Sequence, residues 1–229
     1  MRDPLWKAVK SFGLTEVALP EAASVMPTRK DAPATPKTPS PTIEALMQEV
    51  AGCTRCRLSQ GRNKLVFGAG NPDSGILLVG EGPGATEDMQ GLPFVGRAGE
   101  LLDRILDAID LNRRSVYIAN VVKCRPPGNR VPAPDEVDAC FPILIRQIEI
   151  MKPEVIVALG ASAALSLLGT RKGIGALRGE FHQFRGTLVM VTYHPAALLR
   201  SPALKRPVWE DMKKLSVLLK EKGLPRNVI

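Results

Sequence analysis

Residues 77–96, LLVGEGPGATEDMQGLPFVG, decide how this chain folds. An apolar run breaks into Gly80, Gly82 and Gly84, followed by Glu87 and by Phe94 between Pro93 and Val95. The pattern predicts a buried strand feeding a tight loop whose backbone approaches a ligand closely, because glycine has no Cβ and tolerates positive φ. A nucleotide cofactor is the first ligand to consider, and the spacing excludes it. Gly-x-Gly-x-Gly is not the Gly-x-Gly-x-x-Gly of dinucleotide binders, Pro83 keeps a helix from starting inside the loop, and no Lys-Ser/Thr pair follows as in a phosphate loop. What remains is a strand-end loop of rigid backbone N–H groups with Glu81, Glu87 and Phe94 close by; a plain surface turn is the alternative.

Working outward, the same kind of run recurs. GILLVG, SVYIANVV, EVIVALG and TLVMVTYH are short, apolar and β-branched, as buried parallel strands are. Between them RAGELLDRILDAID puts Leu101, Leu102, Ile105, Leu106 and Ile109 on one helical stripe. PDEVDACFPILIRQIEIMK reads as helix with a break at Pro142, ASAALSLLG as a short helix closed by Gly169, and RPVWEDMKKLSVLLKEKG as a final amphipathic helix. Strands alternating with helices predict an α/β fold: one three-layer α/β/α domain over residues 43–229 with a central, mostly parallel four-stranded sheet. Its ligand is expected beyond the carboxyl ends of the strands. Residues 20–41 hold six prolines among Ala, Thr and Ser, so residues 1–42 are expected to form a disordered Pro-rich arm.

The hydrophobic fraction of 45% supplies a core. No run approaches the roughly 18 apolar residues that span a bilayer, and MRDPLWKAVKSFG lacks the plan of a signal peptide; a cytoplasmic, membrane-free, monomeric protein is expected. The net charge is +8, and from His194 onward eight Lys/Arg face three Asp/Glu. Such an excess suits a polyanion such as nucleic acid, and equally a solvated surface.

Four cysteines are present: Cys53 and Cys56 in CTRC, then Cys124 and Cys140 separated by a Pro/Gly-rich loop. A cytosolic setting argues against disulfides. Four thiolates suit zinc or an iron–sulfur cluster, the absence of a second Cys-x-x-Cys leans toward a cluster, and two ordinary buried cysteines are the alternative. Two polar residues stand out at strand ends. Asn120 sits inside an apolar strand, where an amide must be hydrogen-bonded; it ties down a loop or serves a ligand. His194 and Pro195 end the last strand, ahead of Leu198, Leu199 and Arg200. A structural histidine is one reading; the other is an apolar wedge with flanking cations, the device by which proteins extrude bases from duplexes.

GEGPGATED…GLPFVGRAGELL, NVVKCRPPGNRVP, EVDACFPILIRQIEIMKPEVIVALG and HPAALLR…KRPVWEDMKKL together resemble family 4 of the uracil-DNA glycosylases, the iron–sulfur group, over about residues 43–223. The resemblance implies a DNA repair enzyme that flips uracil from single- or double-stranded DNA and hydrolyses its N-glycosidic bond. It implies a [4Fe-4S] cluster on Cys53, Cys56, Cys124 and Cys140. Carried over position by position, Glu81, Gly82 and Pro83 would line the uracil pocket and position water, Phe94 would stack on the base, and Asn120 would bond its O4 and N3 edge. His194 would donate toward O2, Leu198 or Leu199 would fill the gap left by the base, and Arg200, Lys205 and Arg206 would hold phosphates. Other branches of that superfamily carry Asp or Asn in the first loop; the position here is Gly82, which leaves Glu81 and Glu87 as candidate catalytic carboxylates. A relative of the family traps uracil-DNA through a histidine in a basic loop. The comparable segment here has no His beside Arg171 and Lys172, the nearest being His182, so hydrolysis is expected. A non-catalytic iron–sulfur DNA-binding protein is the remaining alternative.

Overall fold

The computed structural model describes residues 42–226. The Pro-rich arm therefore lies outside the described residues but for Thr42, whose hydroxyl accepts the Ala45 N–H at 3.1 Å and caps α1 (Ile43–Val50). The described strands are β1 (Ala69–Gly70), β2 (Ile76–Gly80), β3 (Tyr117–Asn120), β4 (Val155–Leu159), β5 (Phe181–Phe184) and β6 (Thr187–Thr192). They form one sheet in the order β1-β3-β2-β4-β6-β5.

The four expected strands are its parallel centre, β3-β2-β4-β6. The sheet is wider than expected, however, and mixed: β1 and β5 add antiparallel edges. Neither announces itself in sequence, since β1 has two residues and β5, FHQF, is half exposed and carries His182 and Gln183 side by side at its centre.

Each central strand is buried on both faces. Leu77, Val79, Ile156, Ala158, Val189 and Val191 join the layer containing α1, α4 (Pro134–Met151), α5 (Ala161–Leu168) and α6 (Ile174–Leu177). Ile76, Leu78, Val155, Val157 and Met190 join the other, with α3 (Arg97–Asp107), α7 (Pro195–Arg200) and α8 (Lys205–Glu221). On α3, Leu102 and Leu106 are buried while Leu101 and Ile105 pack at the margin, as the stripe required.

The break expected at Pro142 is absent: α4 runs unbroken from Pro134 to Met151. Burial of Cys140, Ile143, Leu144 and Ile148 on either side holds it together, against a local cost of about 3 kcal/mol for an internal proline. Among the described residues no helix is long and apolar enough to cross a membrane.

The chain leaves β2 for β3 on one side, then crosses over to β4 on the other. The loops after β2 and β4 therefore part at this point, opening a crevice at the carboxyl ends of the strands.

Candidate active site

The glycine loop begins as expected. β2 ends at Gly80, and α2 (Ala85–Gln90) starts only after Pro83 and Gly84. Backbone bonds from Val121 N to Gly80 O (2.9 Å) and from Val122 N to Glu81 O (3.1 Å) lace the loop to the segment after β3. Gly82 lies flush on Val122, whose Cγ2 would be 2.7 Å from any Cβ there. Pro83 is buried beside it.

Phe94 is buried and has φ +53°, a left-handed conformation that a non-glycine residue adopts only when its surroundings impose it. Three contacts do so. The Glu87 carboxylate accepts the N–H groups of Val95 and Gly96, both at 2.9 Å. The Arg113 guanidinium, oriented by Asp103 at 2.8 Å, donates to the carbonyls of Pro93 (3.0 Å) and Phe94. Gly99 of α3 lets the helix close on the Phe94 carbonyl, which would sit 1.7 Å from a Cβ at that position.

The Phe94 ring thereby reaches Gly80. A Cβ built on Gly80 would lie 2.7 Å from that ring and 2.4 Å from Asn120 Oδ1. Asn120, the last residue of β3, is 1% exposed, and its Oδ1 is buried without a hydrogen-bond partner. An unsatisfied buried acceptor costs about 1–3 kcal/mol, so this oxygen is the polar group of the crevice that lacks a donor within the described residues.

His194 comes from the end of β6. The imidazole stacks against Phe94, centroids 5.4 Å apart and planes at 29°, and presses on Gly160, which adopts φ +95° where any Cβ would be 2.9 Å from that of His194. Its Nδ1 accepts the Ala196 N–H at 3.1 Å, so the neutral ring carries its proton on Nε2. Burial, reinforced by Arg200 and opposed by Glu87, pushes its pKa down to about 4. Upstream, Thr192 donates to the buried Asp211 (2.6 Å), which also binds Arg178, fastening the strand end to α8.

Of the residues singled out in the sequence, Phe94 from the loop between α2 and α3 meets Asn120 at the end of β3 across Gly80 and stacks on His194 after β6, while Glu81 and Gly82 follow the end of β2. Three refinements follow from their contacts. Glu87 Oε1 is engaged by two backbone N–H groups and works as a latch on the Phe94 loop. Glu81 instead accepts from Ser162 at the start of α5 and borders a cavity of about 350 Å³ with Ser166, Asp138 and Phe141. Leu198 is 2% exposed and packs in the core, so it is not available as a wedge; Leu199 is 39% exposed. Arg200, Lys205 and Arg206 are exposed nearby.

Ser162 and Arg113 escaped the sequence reading. Ser162 follows Gly160 at a strand end and could have been found by position; Arg113 acts through backbone carbonyls, which leave no signature. His182 sits on β5, 2.9 Å from the Leu177 carbonyl.

The four cysteines line one narrow cavity with Arg55, Arg62 and Lys123. Arg62 donates to the Cys53 carbonyl (2.7 Å) and to Cys124 Sγ (3.1 Å), and the Lys123 N–H meets Cys140 Sγ at 3.2 Å. Desolvation raises the thiol pKa of Cys124, and that of Cys140 to about 11. Arg57, next to Cys56, and Arg130 both bind Glu136, one turn before Cys140, joining the two halves of the set. Among the described residues no three His, Cys, Asp or Glu side chains are drawn together as ligands of a single metal ion. The donor set, four soft sulfurs in an electropositive surround, fits an anionic thiolate-ligated centre.

Residues 67–213 match the uracil DNA glycosylase superfamily. The type-4 uracil-DNA glycosylase of Thermotoga maritima is 46% identical over 185 residues, 79% of this chain and 96% of its own. Those of Pyrobaculum aerophilum (45% over 178 residues, 74% and 91%) and Saccharolobus solfataricus (41% over 191 residues, 80% and 88%) are similar at nearly the same level. The matched region opens ahead of the glycine loop and closes within α8, enclosing every residue of the crevice. By that measure the chain belongs to the uracil DNA glycosylase superfamily.

Proposed function

We propose that this protein is a uracil-DNA glycosylase: it extrudes deoxyuridine from DNA and hydrolyses the bond between uracil N1 and the sugar, leaving an abasic site. The observation that carries the reading is the orphaned Asn120 Oδ1 beside Phe94 and Gly80. Uracil offers N3–H to that oxygen and O4 to an amide NH₂, so a base seated there supplies the missing partner.

The remaining groups have matching tasks. The Phe94 ring, fixed by its strained backbone, forms an aromatic wall for the base. As the glycosidic bond breaks, negative charge grows on uracil O2, and a neutral His194 with its proton on Nε2 is a donor that needs no prior titration. Glu81, held by Ser162, is the carboxylate with which water is positioned against the sugar. Leu199 takes the space vacated in the stack, and Arg200, Lys205 and Arg206 contact phosphates.

Cys53, Cys56, Cys124 and Cys140 would hold a [4Fe-4S] cluster, which as a thiolate-ligated centre would tie residues 53–56 to the loop after β3 and to α4. No step of base removal passes through it.

A labelled uracil oligonucleotide tests the whole reading. The expected product is an alkali-labile abasic strand with free uracil. A denaturation-resistant adduct, or a shifted band without cleavage, would replace hydrolysis with trapping or with passive binding.

A further inference from the structure

Lys123 is fully buried, at 0% exposure. The buried carboxylates of Glu136 and Asp211 each face an arginine. Lys123 has no such counterpart: its ammonium donates to the Asn120 carbonyl (2.8 Å) and to Gln147 Oε1 (2.6 Å), both neutral, and lies 6.0 Å from the centre of the Phe67 ring. Gln147 is itself buried and fixed by donating to the Phe67 carbonyl at 3.1 Å. A buried cation without an anion is costly: it gives up its proton more readily unless a negative charge nearby holds it. The cavity that Lys123 helps to line is that of the four cysteines, and its own backbone N–H bonds Cys140 Sγ.

We infer that Lys123 is the counter-cation of the thiolate-ligated centre and, through the same ammonium, the fastener that sets Asn120 in register with it. The inference rests on the cluster reading above. A cluster with four thiolates is anionic, so a lysine lining its cavity would neutralise the charge that burial otherwise penalises. Because that ammonium also grips the backbone carbonyl of Asn120, the end of β3 is positioned from the cysteine side as well as by the sheet. Lys123 is thus a positioning residue, distinct from the groups that touch the base.

The test uses the full chain purified anaerobically with its cluster, and reads the cluster's midpoint potential by voltammetry of the DNA-bound protein. A nearby cation favours the reduced state, so Lys123→Met moves the potential to more negative values, and iron passes to a chelator roughly tenfold faster or more. Gln147→Glu is the second arm. It keeps the lysine and the packing volume but sets a carboxylate against the ammonium, cancelling its charge and shifting the potential in the same direction. A potential unchanged in both variants, with the cluster in place, overturns the role of Lys123. Wild-type protein carrying zinc, or far fewer than about four irons per chain, overturns the cluster reading itself.

Discussion

The ring of Phe94 stacks on the imidazole of His194 at 5.4 Å, although the two residues come from loops 100 positions apart. The ring and the imidazole are therefore one packed unit, and burial keeps His194 uncharged. The first expectation follows from that state. With a pKa near 4, His194 is neutral throughout the working range, so the single-turnover rate of uracil excision should show no step near pH 6.5, where an ordinary histidine titrates. His194→Ala should lower that rate by about 10²-fold, as loss of an oxyanion donor does, with far less change in affinity for uracil-containing DNA.

Asn120→Asp exchanges the amide NH₂ for a carboxylate oxygen that repels uracil O4 and can accept from cytosine N4–H₂. Uracil excision should fall at least about tenfold, consistent with an unmatched buried polar partner, while weak cytosine excision appears at mispaired sites. Oligonucleotides with uracil or mispaired cytosine at one position measure both.

Leu198 and Leu199, adjacent in sequence, should behave differently. Leu198→Ala empties a core position and should cost about 2–5 kcal/mol of stability. Leu199→Ala should leave the melting temperature nearly unchanged but slow excision from duplex DNA more than from single strands, because only the duplex must be held open. Thermal unfolding beside excision on both substrates separates them.

Arg113→Met removes the guanidinium that grips the Pro93 and Phe94 carbonyls. With two bonds to backbone acceptors lost, each of the order of 1–2 kcal/mol, the left-handed Phe94 should relax. The maximal single-turnover rate should drop by roughly tenfold, with a smaller change in DNA affinity.

Glu136→Gln probes the tie between the cysteine segments. Hydrogen bonding from Arg130, with Arg57 and the Ala133 N–H, holds the Glu136 pKa down to about 2, against desolvation. A carboxylate depressed in this way stabilises the fold fully above its ordinary range near 4.5, and loses that contribution as pH falls toward 2. The difference in melting temperature between wild type and Glu136→Gln should therefore be largest at neutral pH and shrink in acid.

The four parallel strands were legible because strands buried on both faces read as unbroken apolar runs. β5 was not, since FHQF lies half in solvent at the sheet's edge, and neither was the continuity of α4, where burial on both sides of Pro142 outweighs a local penalty. In the site, Asn120 and His194 stood out as polar groups at the ends of apolar runs. The choice between Leu198 and Leu199 needed the direction in which α7 faces the core. Ser162 meets Glu81 across 81 positions and Arg113 meets Phe94 across 19; each acts by a contact that only the folded chain creates.

The contact between Gly99 and the Phe94 carbonyl has a consequence for how DNA is searched. With its backbone held against a neighbouring helix, Phe94 can move its ring only by turning about its own side-chain bonds. If that ring walls the base site, as proposed, a nucleotide that leaves the stack would meet a site already formed, and one that does not fit would depart without drawing the loop into a new shape. The time spent on each undamaged base would then be governed by how readily the duplex breathes, which would place the pace of scanning in the DNA.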